Sequence, residues 1–388
     1  MNAARTLLLA GAALALAACS DDQSPTASSR PIRQEPAPVV MAPANGIDGQ
    51  YLVVLKPGVG PRRLAEISDL EPEQVYTSAL NGFSAKLTQG QLNSLRYDPS
   101  VAYIEQDQVY TINTTQSGAT WGIDRIDQRA RPLSGTYTYT TTASNVTAYI
   151  IDTGIQANHS QFGGRAAAAY DYAGGSGADC NGHGTHVAGT IGSATYGIAK
   201  GVRLRGVRVL NCQGSGTTSA IVAGIDWVRL NAQKPAVANM SLGGGLSSSL
   251  NTAATNLINS GVFLAVAAGN ESQNACNVSP ASASGTVTVA ASTSTDARAS
   301  YSNYGSCVDL YAPGSSITSS WINSGTSTIS GTSMASPHVA GVAALYKGTF
   351  GDASSSTIAS WLINNSTANV ITGNPSGTPN RLLYKSTL

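Results

Sequence analysis

The chain has 388 residues, enough for one large domain or two modest ones. Only 11% are charged and the formal net charge is +1, which excludes a nucleic-acid binder that works by neutralising phosphates. Apolar residues at 42% can fill a core, which excludes a disordered charged tail, and the 41 glycines point to a compact, loop-rich fold.

Arg5 places a positive charge ahead of an apolar run over residues 7–18, too short to span a bilayer as a helix. The run ends Leu16-Ala17-Ala18-Cys19, which resembles a bacterial lipobox, whose Cys is acylated and becomes the new N-terminus after cleavage. That resemblance implies a lipoprotein-type signal peptide over 1–19 and a lipid anchor on Cys19; an ordinary secretory signal with an incidental Cys19 is the plainer alternative. One acyl chain gives marginal membrane affinity and two or more give stable anchoring. Residues 20–47 are Pro/Ser-rich without apolar periodicity and predict a flexible tether. Setting Cys19 aside leaves Cys180, Cys212, Cys276 and Cys307, an even number that suits an exported protein. Their three possible connectivities stay open, each bridge being worth roughly 3–4 kcal/mol by chain entropy.

From Gln50 the texture changes. Residues 51–56 read as a strand closed by Pro57-Gly58, 65–70 as a short helix, and 82–87 alternate apolar and polar as a half-buried strand does. Thr88 is placed to cap a helix ended by Asp98-Pro99, and 101–105 form a last strand. Strand–helix–strand–strand–helix–strand is a ferredoxin-like α+β plan, assigned to a small leading domain over 48–114.

Residues 115–388 form the second domain. Short, almost uniformly apolar runs at 146–151, 204–210, 237–241, 262–268 and 287–291 alternate with helix-forming stretches such as 218–229. This predicts an α/β fold with a mostly parallel, doubly wound sheet covered by helices on both faces. In such sheets ligands bind beyond the carboxyl ends of the strands.

Four signatures sit at those ends. Ile150-Ile151-Asp152-Thr153-Gly154 puts a carboxylate at a strand end, and Asn181-Gly182-His183-Gly184-Thr185-His186 puts an imidazole at the start of a small-residue helix. Gly331-Thr332-Ser333-Met334-Ala335-Ser336-Pro337-His338 opens a second helix with a hydroxyl, and Ala267-Ala268-Gly269-Asn270 carries a side-chain amide after a strand. A hydroxyl is a poor nucleophile at neutral pH and needs an imidazole to take its proton and a carboxylate to orient that imidazole. A helix N-terminus and an amide supply donors where an oxyanion develops. Singly, such an Asp or Ser reads as a turn or cap residue, but four signatures in one chain do not. His186 and His338 read as structural, and His159 as part of a surface loop.

These motifs, in this order, resemble the subtilisin-like serine proteases, and within them the proteinase K branch and its aqualysin-like members. The similarity extends over Trp121-Gly122-Ile123-Asp124-Arg125-Ile126-Asp127-Gln128, Ala238-Asn239-Met240-Ser241-Leu242-Gly243-Gly244-Gly245 and Tyr301-Ser302-Asn303-Tyr304-Gly305-Ser306-Cys307. The resemblance implies a serine endopeptidase with Ser333 as nucleophile, His183 as base, Asp152 as its orienter and Asn270 as oxyanion donor. It implies an extended substrate paired along Ser241, Leu242, Gly243 and Gly244. It also implies a primary pocket framed by that segment and by Ala267, Ala268, Gly269 and Asn270, with no charged residue and an apolar or aromatic preference. It pairs Cys180 with Cys212 and Cys276 with Cys307. It implies structural calcium held by Asp309 and the carbonyls of Ser284 and Thr286, with Asp124, Asp127 and Gln128 resembling part of a second site in which Ser134 replaces an acid.

The leading domain resembles an inhibitor-type propeptide, here an intramolecular inhibitor and folding template whose residues 110–114 occupy the cleft before self-cleavage near Thr114–Thr115. The expected product is a monomeric, broad-specificity protease acting on proteins and peptides, exported from a bacterial cell. Its precursor is anchored through Cys19 and its mature form is periplasmic or extracellular. Sedolisin-type peptidases would need Glu for His183 and Asp for Asn270, and an α/β-hydrolase would need G-x-S-x-G. A catalytically dead scaffold serving as a surface adhesin is the reading from another class.

Overall fold

The apolar runs settle into two separate sheets. A computed structural model describes residues 35–42, 46–108 and 114–388. Cys19, the signal segment, most of the expected tether and residues 110–113 of the expected cleft segment lie outside these. The chain divides into two compact units between Tyr110 and Thr111.

The first unit carries a five-stranded sheet ordered Val39–Val40, Val101–Gln108, Gly46–Leu55, Gly82–Lys86, Gln74–Tyr76. Helices Pro61–Ile67 and Gln89–Arg96 complete the ferredoxin-like order. Val53, Phe83 and Ile104 are fully buried in its core. Thr88 caps the second helix as expected: its hydroxyl accepts from Gln91 N, and Gln91 Oε1 accepts from Thr88 N at 2.9 Å. The first helix starts earlier than predicted because Pro61 fixes its first turn, and it ends before Asp69, whose φ of 52° is left-handed. Residues 35–42, read as tether, instead contribute Val39–Val40, which pairs in parallel with Ile104 and Glu105.

The second unit is built on a nine-stranded sheet. Its order is Thr367–Ala368, Arg381–Leu382, Leu310–Pro313, Val287–Ser292, Phe263–Ala267, Ala236–Met240, Thr147–Asp152, Arg203–Arg208, Ala166–Asp171. Every neighbouring pair is parallel except the first. Side chains alternate between two cores, Ile150, Val237 and Phe263 on one face and Tyr149, Ala238 and Leu264 on the other. Helices His183–Gly192 and Thr332–Phe350 pack into the first core, and Thr218–Asn231 and Ser248–Asn259 into the second. The strand Thr147–Asp152 lies where the winding reverses: strands 166–171 and 203–208 follow on one side and 236–240 onward on the other. A crevice opens at such a switch point, beyond the strands' carboxyl ends.

Thr114–Ser117 pairs with Thr136–Tyr139 as an antiparallel ribbon of this unit, with Thr114 and Thr115 exposed. Disulfides join Cys180 to Cys212 and Cys276 to Cys307. Among the described residues no helix is long and apolar enough to cross a membrane.

Candidate active site

Asp152 is the last residue of its strand and is fully buried. Its Oδ1 accepts from Thr153 N at 2.7 Å and from His183 Nδ1 at 2.8 Å, while Oδ2 has no protein partner. His183 opens its helix after Gly182, which has a φ of 111° and packs so closely on Trp321 that a Cβ would fall 2.3 Å from the indole. Glycine is required there on both counts. With Nδ1–H donating to a carboxylate, Nε2 is left as the basic nitrogen. Burial works to lower the imidazole's proton affinity, but the Asp152 charge and hydrogen bond, with a smaller contribution from Asp179, outweigh it and raise the pKa above 6.5.

Ser333 is the second residue of its helix, in the turn whose N–H groups have no intrahelical acceptor. Its hydroxyl donates to the Ser241 carbonyl at 3.2 Å, and no hydrogen bond joins it to His183. The two residues instead flank one segment. Ser333 lines a cavity of about 280 Å³ with Leu242, Gly243 and Gly244, and His183 lines an adjoining recess with Ser241, Leu242 and Gly243. Asn270 Oδ1 accepts from Thr332 N at 2.8 Å and Thr332 Oγ1 at 3.0 Å. This fixes the amide's orientation and leaves Nδ2 as a donor at the cavity wall. Gly244–Gly245 pairs with Val278–Ser279, so the expected substrate segment is itself held as a short strand.

Several expectations need correction. The cavity wall does carry a charge: Glu271 lines it, one oxygen accepting from Asn303 Nδ2 at 2.9 Å. Ala267 and Gly269 also line it, but Ala268 is buried behind the wall, its N–H bonded to Val289 O and its carbonyl to Asn303 Nδ2. Ser241 belongs to the recess beside His183 rather than to the cavity. His159 is buried, not superficial, because its Nε2 bonds the Gly325 carbonyl at 3.0 Å and its Nδ1 accepts from Gln161 N. His186 and His338, read as structural, are buried, and desolvation lowers both to about 4.

Among the described residues there is no cluster of three or more His, Cys, Asp or Glu able to hold a metal ion. Asp309 is the carboxylate of the expected calcium set. Burial pushes it up to about 6, and Thr288 N donates to its Oδ2 at 2.7 Å. The Ser284 carbonyl accepts from Thr255 Oγ1 at 3.0 Å, while the Thr286 hydroxyl turns back to Ala283 O. A desolvated carboxylate with backbone carbonyls is an oxygen set of the kind Ca²⁺ takes. At the second set, Ser134 N and Oγ donate to Asp124 Oδ1, Gly135 N donates to Asp124 Oδ2, and Thr138 donates to Asp127.

Sequence reasoning passed over Asp179, Thr153 and Thr332, which tie these segments together; the nearest signal was their place beside the motif residues.

The chain is similar to known proteins over both units. Residues 143–382 match the subtilase family and residues 61–113 the peptidase inhibitor I9 family. An extracellular serine proteinase of Thermus sp. (strain Rt41A) is 50% identical, the match covering 96% of each chain. A subtilisin-like serine protease of Sarocladium strictum is 56% identical over 81% of this chain and 82% of its own. The crystal structure of a cold-adapted subtilisin-like serine proteinase superposes with a TM-score of 0.69 at 52% identity, covering 70% of this chain and all of that one. The chain belongs to the subtilase family of serine endopeptidases.

Proposed function

We propose that the chain is the precursor of an exported endopeptidase that cleaves peptide bonds through an acyl-enzyme on Ser333. The observation that carries this is the 2.8 Å bond between His183 Nδ1 and the buried Asp152, which leaves Nε2 as the base. Ser333 Oγ exchanges its long contact with the Ser241 carbonyl for His183 as it attacks the substrate carbonyl carbon, and its proton passes to Nε2. Collapse of the tetrahedral intermediate expels the amine, which takes that proton. Water then hydrolyses the ester with His183 again as base. Asn270 Nδ2 and the Ser333 N–H are the oxyanion donors, and losing one such donor costs ~10²–10³ in rate.

Ser241, Leu242, Gly243 and Gly244 pair with the substrate main chain, which reads no side chains and gives broad specificity. The cavity takes apolar and aromatic side chains before the cut, and Glu271 extends that preference to basic ones. The first unit acts as intramolecular inhibitor and folding template, a role supported by its match to an inhibitor family, and is released by self-cleavage near Thr114–Thr115. Asp309 and the carbonyls of Ser284 and Thr286 are the residues that would hold a structural calcium ion, supplying an all-oxygen set. Export is supported by the extracellular relative and by two closed disulfides. Acylation of Cys19 anchors the precursor, and cleavage near Thr115 releases the protease from that anchor.

Ser333→Ala abolishes casein hydrolysis; retained hydrolysis refutes the assignment. A fluorophosphonate probe labels the wild type, whereas an inert adhesin scaffold stays unlabelled.

A further inference from the structure

Asp179 lies four residues before His183 and accepts five hydrogen bonds. Its Oδ1 takes Thr153 Oγ1, Asn181 N and Gly182 N, each at 2.9 Å. Its Oδ2 takes Thr185 N at 2.9 Å and Thr185 Oγ1 at 2.6 Å. The partners belong to both halves of the Asp152–His183 pair. Thr153 follows Asp152 directly, and its hydroxyl oxygen accepts from Gly184 N at 2.9 Å. Thr185 Oγ1 accepts from Gln156 N at 3.0 Å, so the loop after Asp152 is stitched a second time to the helix of His183. Gly182, the N-cap, has no side chain to cap that helix, and Asp179 bonds the orphan N–H of its third residue instead.

We propose that Asp179 is a positioning residue that locks the Asp152 strand end to the His183 helix and, as a carboxylate bonded to Gly182 N and Thr185 N on either side of His183, moves the acid limit of activity upward. The inference rests on His183 being the base.

The surrounding charges leave this role to Asp179. Asp152 supplies the direct carboxylate. His186, one turn along the helix, stays neutral near pH 7 because burial lowers it to about 4, and the same holds for His338 on the helix packed alongside. Arg208 reaches the Ala178 carbonyl and the Cys180 sulfur of the same loop, but its ion-pair partner is Asp171, at 3.4 Å. The Asp179 charge therefore has no ion-pair partner among the described residues and favours protonated His183, in agreement with its contribution to that group's raised proton affinity.

The substitution Asp179→Asn keeps one oxygen for Thr153, Asn181 and Gly182 but turns an NH₂ toward Thr185 N. The test is the pH profile of kcat/KM in the mature enzyme. A protonated His183 cannot act as base, so removing a neighbouring negative charge lowers its pKa and shifts the acid limb down by about half a unit to one unit. The alkaline plateau falls as well, and Asp179→Ala lowers it further. A purely structural role would depress the plateau and leave the limb in place, and an unmoved limb in Asp179→Asn overturns the proposal. Where the variant fails to mature, the His183 imidazole is titrated by NMR in full-length Ser333→Ala and in Ser333→Ala/Asp179→Asn. A lower pKa in the double variant is the expected result, and equal values overturn it. That titration reads the proton affinity whether or not His183 is the base, so the two readings fail separately.

Discussion

Ser333 and Ser241 bond each other reciprocally: the Ser333 hydroxyl donates to the Ser241 carbonyl at 3.2 Å, and the Ser241 hydroxyl donates to the Ser333 carbonyl at 2.7 Å. The second bond has a cause in the sequence. A helical carbonyl normally accepts from the N–H four residues on, and four residues after Ser333 stands Pro337, which has none. The proline frees the nucleophile's carbonyl, and the substrate segment supplies the missing donor.

Ser241→Ala leaves that half-buried carbonyl without its donor and loosens the turn that presents Ser333. The expected loss in kcat is about tenfold, with a smaller change in KM. Restoring an N–H with Pro337→Ala recovers part of it in the double variant. Steady-state kinetics on a peptide anilide check this, and strictly additive losses contradict it.

Glu271 gives the cavity wall a carboxylate beside Asn270. In Glu271→Gln, kcat/KM for substrates with Arg or Lys before the cut falls roughly tenfold while that for Phe changes little, in line with a partly solvated ion pair. A matched peptide series measures the ratio, and an unchanged Lys-to-Phe ratio removes Glu271 from the pocket's chemistry.

Acid should weaken the fold well above the range of ordinary carboxylates. His186 and His338 take protons near 6.5 in the unfolded chain but only at about 4 when folded, owing to desolvation. Between those values the unfolded chain binds more protons, so stability is full above pH 6.5 and falls as the pH drops toward 4, by up to about 3 kcal/mol for each imidazole. His183, with raised affinity, opposes this in part. The thermal midpoint of the fluorophosphonate-blocked enzyme should begin to fall near pH 6; a midpoint constant down to pH 4.5 speaks against buried neutral imidazoles.

The proposed anchor on Cys19 lies upstream of the proposed cut, which predicts that release depends on catalysis. In detergent phase separation, mature wild type partitions to the aqueous phase and Ser333→Ala to the detergent phase. Equal partitioning of both disposes of membrane anchoring as the point of control.

The sheet was legible because its strands are buried on both faces: runs such as Thr147–Asp152 are almost uniformly apolar and end where the motif residues begin. The features that escaped depend on side-chain direction, which spacing does not encode. Ala268 and Glu271 flank the same Gly269–Asn270 pair, yet one is locked behind the wall and the other turned onto it. His159, between Asn158 and Ser160, carries no apolar signal, and its contact with the Gly325 carbonyl on a distant hairpin is non-local. Val39–Val40 is too short and too close to prolines for alternation to reveal, and its pairing with Ile104 and Glu105 is non-local. Pro337 was in view within a motif and Asp179 stands two residues before one, but their work lies in hydrogen bonds made or withheld across the fold.

Trapping the acyl group identifies the nucleophile. The mature enzyme is mixed with an activated ester, quenched in acid within the burst phase, digested and mapped by mass spectrometry. One acyl group is expected, on Ser333, absent from His183→Ala under the same quench; an acyl group on another residue, or turnover with none trapped in any quench, rules the mechanism out.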